Sequence, residues 1–193
     1  YDTIANRISI EDVQAKDGRL RLMENIWWEY DKLPHMLIAG GTGGGTTYFI
    51  LTLIEALLRT NAVLFVLDPK NADLADLQAV MPDVYYKKED MLACQRPDAK
   101  YLGDGIRDQF NFRVALGRMS EMGYGMMFGE TTKDFFLKQI KGRGYVDVGT
   151  SVISEFYTPL VPKGHDFLKE IKKLIDSRQG VQAACEAKAA ETD

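Results

Sequence analysis

The feature that most constrains this chain is a glycine-rich segment between an apolar strand pattern and an apolar helix pattern. Residues His35 to Thr47 read HMLIAGGTGGGTT. Met36 to Ala39 predicts a buried strand, and apolar residues recur every three to four positions from Thr47 to Arg59, which predicts a helix. Glycines let backbone N–H groups face a phosphate, and a helix N-terminus adds partial positive charge. This order therefore favours a phosphate-binding loop over a glycine-rich turn without a ligand.

The loop matches the P-loop pattern G-x-x-x-x-G-K-[ST] at every defined position except one. Gly40 and Gly45 occupy the glycine positions, and Thr47 occupies the position of the magnesium-binding hydroxyl. Thr46 replaces the lysine, which normally places a positive charge on the β- and γ-phosphates. We expect nucleotide binding with impaired hydrolysis, because losing one such donor costs about 3 kcal/mol in the transition state. The predicted nucleotide-binding residues are Gly40, Gly41, Thr42, Gly43, Gly44, Gly45, Thr46 and Thr47.

Composition predicts an ordinary soluble domain. The 193 residues are 46% hydrophobic and 27% charged, and the net charge of −4 means that any nucleic-acid contact needs a local basic patch. Two cysteines, Cys94 and Cys185, suit a reducing compartment. No apolar run reaches the length of a membrane span, and the chain opens on Tyr1 without a signal peptide. We therefore expect an excised domain whose anchoring segments lie elsewhere.

Alternating strand and helix patterns predict an α/β sheet with its ligand at the carboxyl ends of the strands. Residues 1–32 form a β lead-in, where Arg7 to Ile10 and Leu20 to Met23 are predicted to pair around the turn Lys16-Asp17-Gly18. Residues 33–176 form the main domain, and 177–193 are predicted to be a flexible tail. Further predicted strands are Ala62–Leu67, Val84–Tyr86, Phe112–Leu116, Tyr145–Val148 and Ile153–Phe156. Further predicted helices are Asn71–Val80, Gly105–Phe110, Lys133–Ile140 and Phe167–Arg178.

Two short motifs follow the glycine loop. Leu64 to Asp68 has the form of a magnesium-ligating Walker B strand, but Pro69-Lys70 follows where a glutamate is expected. Gln95 follows a second apolar run and precedes Arg96-Pro97, so its amide could lie near a γ-phosphate; the alternative is a strand leading into a proline turn.

In combination these motifs resemble the FtsK/SpoIIIE-type DNA translocases, over about residues 33 to 175. The resemblance implies a RecA-like P-loop NTPase core with a largely parallel sheet flanked by helices. Within that family, the stretch from Gln95 to Val161 is most similar to the coupling proteins of Tn916-type integrative conjugative elements. The segments that carry the resemblance are Pro34–Gly40, Asp68-Pro69-Lys70, Gln95-Arg96-Pro97, Phe112–Leu116 and Gly142–Tyr145.

The resemblance implies a motor that hydrolyses ATP with Mg²⁺ and moves DNA toward a conjugation channel. Such motors are ring oligomers, here expected to be hexamers, that work with a relaxase and channel proteins. The expected location is the cytoplasm, at the inner face of the cell membrane, with membrane attachment through segments absent from this chain.

Roles for individual residues follow from the same resemblance. Thr47 would ligate Mg²⁺ and Gln95 would sense the γ-phosphate. Arg113 and Arg118 are candidates for the arginine that reaches a neighbouring subunit's nucleotide, or are structural ion-pair residues. Lys138, Lys141 and Arg143 are candidates for DNA contact, or form a solvated helix face.

One expected segment is absent. In the family, the true Walker B strand lies between the Asp-Pro-Lys and Gln-Arg-Pro motifs, but Asn71 to Cys94 holds no apolar run ending in Asp-Glu. Several tens of residues are missing, and the seam is predicted near Asp90 to Leu92. Either these residues are deleted from the protein, or they exist in the protein and the consecutive numbering closes up over them. We favour the second, because losing a central strand exposes apolar edges.

Two other functions remain open. A non-hydrolysing scaffold or regulatory subunit of a conjugation apparatus would also keep a glycine loop without its lysine. A small P-loop kinase is the weaker alternative, because the sequence lacks a lid-like arginine cluster and an acceptor site.

Overall fold

The computed structural model describes residues 3–68, 74–81, 84–85, 109–131, 133–135 and 140–190. The chain divides into two units. The first combines Tyr1–Ile50 with Cys94–Lys163, and the second combines Leu51–Ala93 with Gly164–Asp193.

The described elements follow in chain order. The strands are β1 (Ala15–Lys16), β2 (Arg19–Met23), β3 (Ile26–Trp28), β4 (Met36–Gly40), β5 (Val66–Leu67), β6 (Val84–Tyr85), β7 (Phe112–Leu116), β8 (Arg143–Val148) and β9 (Ile153–Tyr157). The α-helices are α1 (Thr46–Leu58), α2 (Glu121–Phe128) and α3 (Phe167–Ala190). Short 3-10 helices cover Thr3–Asn6, Ile10–Asp12 and Ala75–Ala79.

The lead-in forms a small antiparallel sheet in the order β1-β2-β3. Its predicted turn is confirmed: Asp17 and Gly18 have positive φ angles of 51° and 73°. The predicted partner strand is wrong, because β2 pairs with β1 and not with Arg7–Ile10. That earlier segment bonds instead to a distant stretch of chain, where Ile10 N donates to Leu160 O at 3.0 Å.

The main sheet has the order β4-β7-β8-β9 and mixed direction. β4 and β7 are parallel, whereas β7–β8 and β8–β9 are antiparallel. The predicted α/β class is thus confirmed, with mixed sheets flanked by helices, whereas the described strands do not show a largely parallel sheet. A short loop joins β8 to β9, which only antiparallel neighbours allow. Asp147 holds that loop, because its Oδ1 accepts from the amides of Gly149, Thr150 and Ser151.

Other strand and helix predictions have mixed outcomes. The strands at β7, β8 and β9 and the helix α1 are confirmed. Of Ala62–Leu67 only β5 is a strand, and it pairs with β6 in a separate two-stranded sheet. Of Asn71–Val80, residues 71–73 lie outside the described residues, and the described part forms a 3-10 helix over Ala75–Ala79 in place of the predicted helix. Of Lys133–Ile140, residues 133–135 and 140 are not helical, and 136–139 lie outside the described residues. Most of Gly105–Phe110 also lies outside them.

The final helix is longer than the sequence predicts. α3 continues to Ala190, through most of the stretch expected to be a flexible tail. This stretch is rich in alanine, glutamate and lysine, which have high helix propensity. Within the described ranges, no helix has both the length and the apolarity that a membrane crossing requires.

In the first unit, aromatic side chains of α1 and α2 pack against aromatic side chains of the main sheet. Phe49 of α1 meets Phe156 of β9 edge-on, with ring centroids 5.5 Å apart. Tyr124 of α2 stacks on Phe135 at 4.0 Å and lies edge-on to Tyr145 of β8 at 6.0 Å. These contacts fix α1 and α2 against the strands whose ends form the candidate site.

In the second unit, Arg178 of α3 caps the carboxyl end of α1. Its Nε donates to Leu58 O at 3.0 Å and its Nη1 donates to Ala62 O at 2.7 Å. Its Nη2 donates to the carbonyls of Leu57 and Thr60. The last carbonyls of a helix lack intrahelical partners, so a cation here satisfies them and complements the helix dipole.

We expect Arg178→Ala to lower the free energy of unfolding by about 2 kcal/mol, because several carbonyls lose a charged donor at once. Urea denaturation followed by circular dichroism measures this. Lys172→Ala on the same helix is the control, since it breaks an exposed pair with Asp176 and should change stability by less than about 0.5 kcal/mol. Equal effects of the two substitutions would contradict the capping role.

Candidate phosphate-binding site

The glycine loop lies between the carboxyl end of β4 and the first turn of α1. β4 ends at Gly40, and α1 begins at Thr46. Gly43 and Gly45 have φ angles of +79° and +99°, a region that favours glycine. The predicted order of strand, glycine loop and helix is thus confirmed, and the loop stands where a helix N-terminus can attract an anion.

The glycines are required because the loop lies directly against the end of β7. A Cβ atom on Gly44 would lie 2.7 Å from Leu116 O, and one on Gly40 would lie 2.9 Å from the same oxygen. A Cβ atom on Gly41 would overlap the carbonyl oxygen of Arg118. Any larger residue at these positions would push the loop away from the sheet.

Two loop amides hold the loop in place. Gly41 N donates to Leu116 O at 3.2 Å, and Gly44 N donates to Gly41 O at 2.9 Å. Both groups belong to the set predicted to bind a nucleotide. Because these bonds occupy their N–H groups, Gly41 and Gly44 shape the loop in this structure and do not face a ligand with their amides.

Thr46, which replaces the P-loop lysine, faces the end of β4. Its Oγ1 lies so close to Gly40 that a Cβ atom there would overlap it. Thr47 follows in the first turn of α1, at the position that the P-loop pattern gives to the magnesium ligand. At position 46 the threonine side chain ends at its hydroxyl and methyl groups, whereas a lysine there would carry an ammonium on a four-carbon stem. The loop itself therefore lacks a mobile positive charge.

The turn before β8 is bonded to the glycine loop. Gly142 N donates to Gly44 O at 3.0 Å, and Gly142 O accepts from Thr158 N at 2.7 Å. The preceding residue, Lys141, places its Cγ 3.9 Å from the position of a Cβ atom on Gly45. Its ammonium lies over the ring of Tyr48, 4.4 Å from the centroid.

The three residues predicted to contact DNA thus have different surroundings. Lys141 lies beside the glycine loop on a turn and not on a helix face. Arg143 begins β8, and its Nε donates to Glu155 Oε1 at 2.6 Å in an ion pair across two strands. Tyr157 OH donates to the same oxygen at 3.0 Å. Lys138 lies outside the described residues.

The two candidate arginines lie at opposite ends of β7. Arg113 is paired in register with Leu37, three residues before the end of β4, which is about 10 Å along the strand. Its Nε donates to Phe110 O at 2.7 Å and its Nη1 to Met127 O at 3.2 Å, which indicates a structural role. Arg118 is exposed and follows β7 next to the loop. Gln95, the predicted γ-phosphate sensor, lies outside the described residues.

Asp68, which resembles the last residue of a Walker B strand, belongs to the second unit. Its buried carboxylate accepts from Leu74 N at 3.3 Å and so holds the chain that follows β5. Across the residues that the structure describes, no three His, Cys, Asp or Glu side chains cluster in a way that suits a metal ion.

Sequence reasoning missed the residues that support the loop from a distance. A Cβ atom on Gly142 would lie 2.5 Å from Thr158 Oγ1 and 3.1 Å from Arg7 Nη2, so the turn has no room for a side chain. Arg7 Nε donates to Thr158 O at 2.7 Å. Burial lowers the pKa of the Arg7 guanidinium, and the nearby Tyr157 opposes that change. Of these features, the sequence could have indicated only one: a glycine at position 142 is typical of a positive φ angle, which is +77° in the structure.

Comparison with known proteins gives one informative relative. No family model matches the chain. Over its entire length the chain is 41% identical to the FtsK domain-containing protein YdcQ of Bacillus subtilis (strain 168). The match covers 57% of that protein, so the chain spans a little over half of the relative's length. The chain is thus similar to an FtsK domain-containing protein, the type of protein that the motifs of the glycine loop and its neighbours resemble.

The alignment also contains more positions than this chain has residues. It extends over 273 residues, against 193 in the chain, a difference of 80. The relative therefore has residues within the matched span that have no counterpart here.

We expect Gly44→Ala to weaken nucleotide binding by about tenfold or more, because the added methyl group would force the loop away from Leu116. Titration with a fluorescent ATP analogue measures the affinity. Gly125→Ala in α2 is the matched control, since no atom lies within 4 Å of its added Cβ and helix stability should rise by about 0.5–1 kcal/mol. Unchanged affinity in Gly44→Ala would show that the loop does not bind phosphate.

Proposed function

We propose that this chain is the motor domain of an ATP-dependent DNA translocase, a coupling protein that moves DNA toward a conjugation channel. The observation that carries the proposal is the glycine loop between β4 and α1 in a chain similar along its whole length to an FtsK domain-containing protein. FtsK-type domains are generally ATPases and DNA translocases. In this chain, Thr46 impairs hydrolysis.

The loop fits the phosphates of a nucleotide. Its glycines exclude side chains from the space beside β7, and two of them have positive φ angles. The amides of Gly41 and Gly44 already donate hydrogen bonds within the protein. The loop amides that would face the phosphates are therefore those of Gly43, Gly45, Thr46 and Thr47. The hydroxyl of Thr47 would contribute one ligand to Mg²⁺. That ion, when bound, neutralises charge on the β- and γ-phosphates.

Thr46 determines how much of the motor's chemistry this chain retains. Its hydroxyl can donate a hydrogen bond, but it carries no charge and faces Gly40. Removing one preorganised charged donor costs about 3 kcal/mol in the transition state, or roughly a hundredfold in rate. Binding through backbone amides survives this loss better than hydrolysis, since amides contact the ground state as well.

The finer features of the proposal follow the family resemblance. They include a RecA-like core, a hexameric ring on DNA, relaxase and channel proteins as partners, and a cytoplasmic position at the inner face of the cell membrane. Membrane attachment would come from segments absent from this chain. Arg113 lies too far from its own loop to act there, so in a ring it could serve only a neighbour's nucleotide, whereas Arg118 lies beside its own loop.

The residue that positions the attacking water is assigned to the segment that this chain lacks. The alignment with YdcQ exceeds the chain by 80 positions, a size that agrees with a missing strand and helix near residues 90–92. Asp68 does not replace that residue, because its carboxylate holds the backbone of Leu74 in the second unit.

A second candidate function is a nucleotide-binding scaffold of a conjugation apparatus that never hydrolyses ATP. Thr46 specifically favours it, because a scaffold has no need of the lysine charge that accelerates phosphoryl transfer.

Restoring the lysine separates the two functions. In the full-length protein we expect Thr46→Lys to raise the DNA-stimulated ATPase rate by roughly a hundredfold, because it returns the missing charge to the loop. Steady-state ATPase assays with and without DNA measure this. Thr46→Gln is the control, since it adds length without charge.

A Thr46→Lys protein that binds nucleotide yet hydrolyses none, with or without DNA, would exclude the motor and support the scaffold. An equal gain in Thr46→Gln would instead refute the charge argument.

A further inference from the structure

We propose that Lys141 supplies a positive charge that helps to bind the nucleotide phosphates where Thr46 supplies none, without restoring the transition-state contact that the P-loop lysine makes. This inference rests on the proposed nucleotide site in the glycine loop. It assigns a phosphate-binding role to a residue about a hundred positions beyond the P-loop, for which the sequence pattern predicts no such role.

The backbone of Lys141 is held against the loop. The next residue, Gly142, donates from its N–H to Gly44 O at 3.0 Å and accepts on its O from Thr158 N at 2.7 Å. Its φ angle of +77° favours glycine, and a Cβ atom at this position would lie only 2.5 Å from Thr158 Oγ1. Any other residue would therefore force the turn to move. The turn therefore fixes where the Lys141 side chain begins.

The side chain of Lys141 runs along the loop toward the start of α1. Its Cγ lies 3.9 Å from the Cβ position on Gly45, and its ammonium lies 4.4 Å from the ring centroid of Tyr48. Tyr48 belongs to the first turn of α1, next to Thr47. The ammonium thus lies over a side chain of the first turn of α1, the end of the helix at which phosphates bind in glycine loops.

The ammonium can leave the ring when an anion arrives. A cation–π contact with a ring that is 47% exposed is weak, whereas an ammonium–phosphate hydrogen bond between charged groups is strong. Lys141 is itself exposed, and its flexible four-carbon stem allows the movement. By contrast, Arg143 would have to break its ion pair with Glu155 to act in the same way.

The proposal predicts coupling between positions 46 and 141. If Lys141 replaces the missing P-loop charge, a lysine returned to position 46 makes Lys141 largely redundant. The two substitutions are therefore non-additive, which a double-mutant cycle detects.

The test measures dissociation constants for a fluorescent ATP analogue in five full-length proteins: the unsubstituted protein, Lys141→Ala, Lys163→Ala, Thr46→Lys and Thr46→Lys/Lys141→Ala. Lys163 is an exposed lysine of the same unit, so Lys163→Ala removes the same charge from that unit and leaves Lys141 in place. We expect Lys141→Ala to weaken binding by about tenfold, Lys163→Ala to leave it unchanged, and Lys141→Ala to cost less than about threefold in the Thr46→Lys background.

Each other outcome overturns a defined statement. Unchanged binding in Lys141→Ala, with the unsubstituted protein binding normally, refutes the role of Lys141 and leaves the nucleotide site intact. Absence of binding in both the unsubstituted and Thr46→Lys proteins refutes the proposed function itself. DNA affinity is measured separately, by fluorescence anisotropy with labelled DNA. A Lys141→Ala protein that loses DNA affinity but keeps its nucleotide affinity would identify Lys141 as a DNA contact and overturn the inference.

Discussion

The close approach of the glycine loop to the carboxyl end of β7 is the contact on which the candidate site depends. Leu116 O accepts from Gly41 N, and the same oxygen leaves no room for a Cβ atom on Gly40 or Gly44. Because β4 and β7 are parallel and in register, this end of the sheet also carries Gly117 and Arg118. The loop is thus a packed part of the sheet edge, and its shape is set by contacts within the protein.

The mixed direction of the sheet has a consequence for charge. Since β8 runs antiparallel to β7, the amino end of β8 lies at the same edge as the carboxyl ends of β4 and β7. Lys141 and Arg143, which precede and begin β8, therefore lie at this edge, and Lys141 lies beside the glycine loop, while Arg113 lies at the other end of β7. A loop that lost its own lysine has a cation beside it because of this topology. In a sheet with β8 parallel, that cation would lie at the opposite edge.

The sequence predicted local features best. Periodicity located α1, β7, β8 and β9, because the hydrophobic pattern of each element is contained within it. It failed where partners decide the structure: Arg7–Ile10 pairs with a segment about 150 residues away, and β8 and β9 reverse direction through a loop that Asp147 organises. It also placed the end of the last helix too early, since α3 continues beyond Arg178 to Ala190.

The sequence alone determined that a glycine loop follows a strand and precedes a helix, that its lysine is absent, and that its motifs resemble those of FtsK-type motors. These are properties of residue order, and they are independent of what packs against the loop. Only the tertiary structure decided that two loop amides are used internally and that Thr46 faces Gly40. It also decided that Lys141 lies beside the glycine loop with its ammonium over the ring of Tyr48, because this contact joins residues that are far apart in sequence and adjacent only after the sheet has formed.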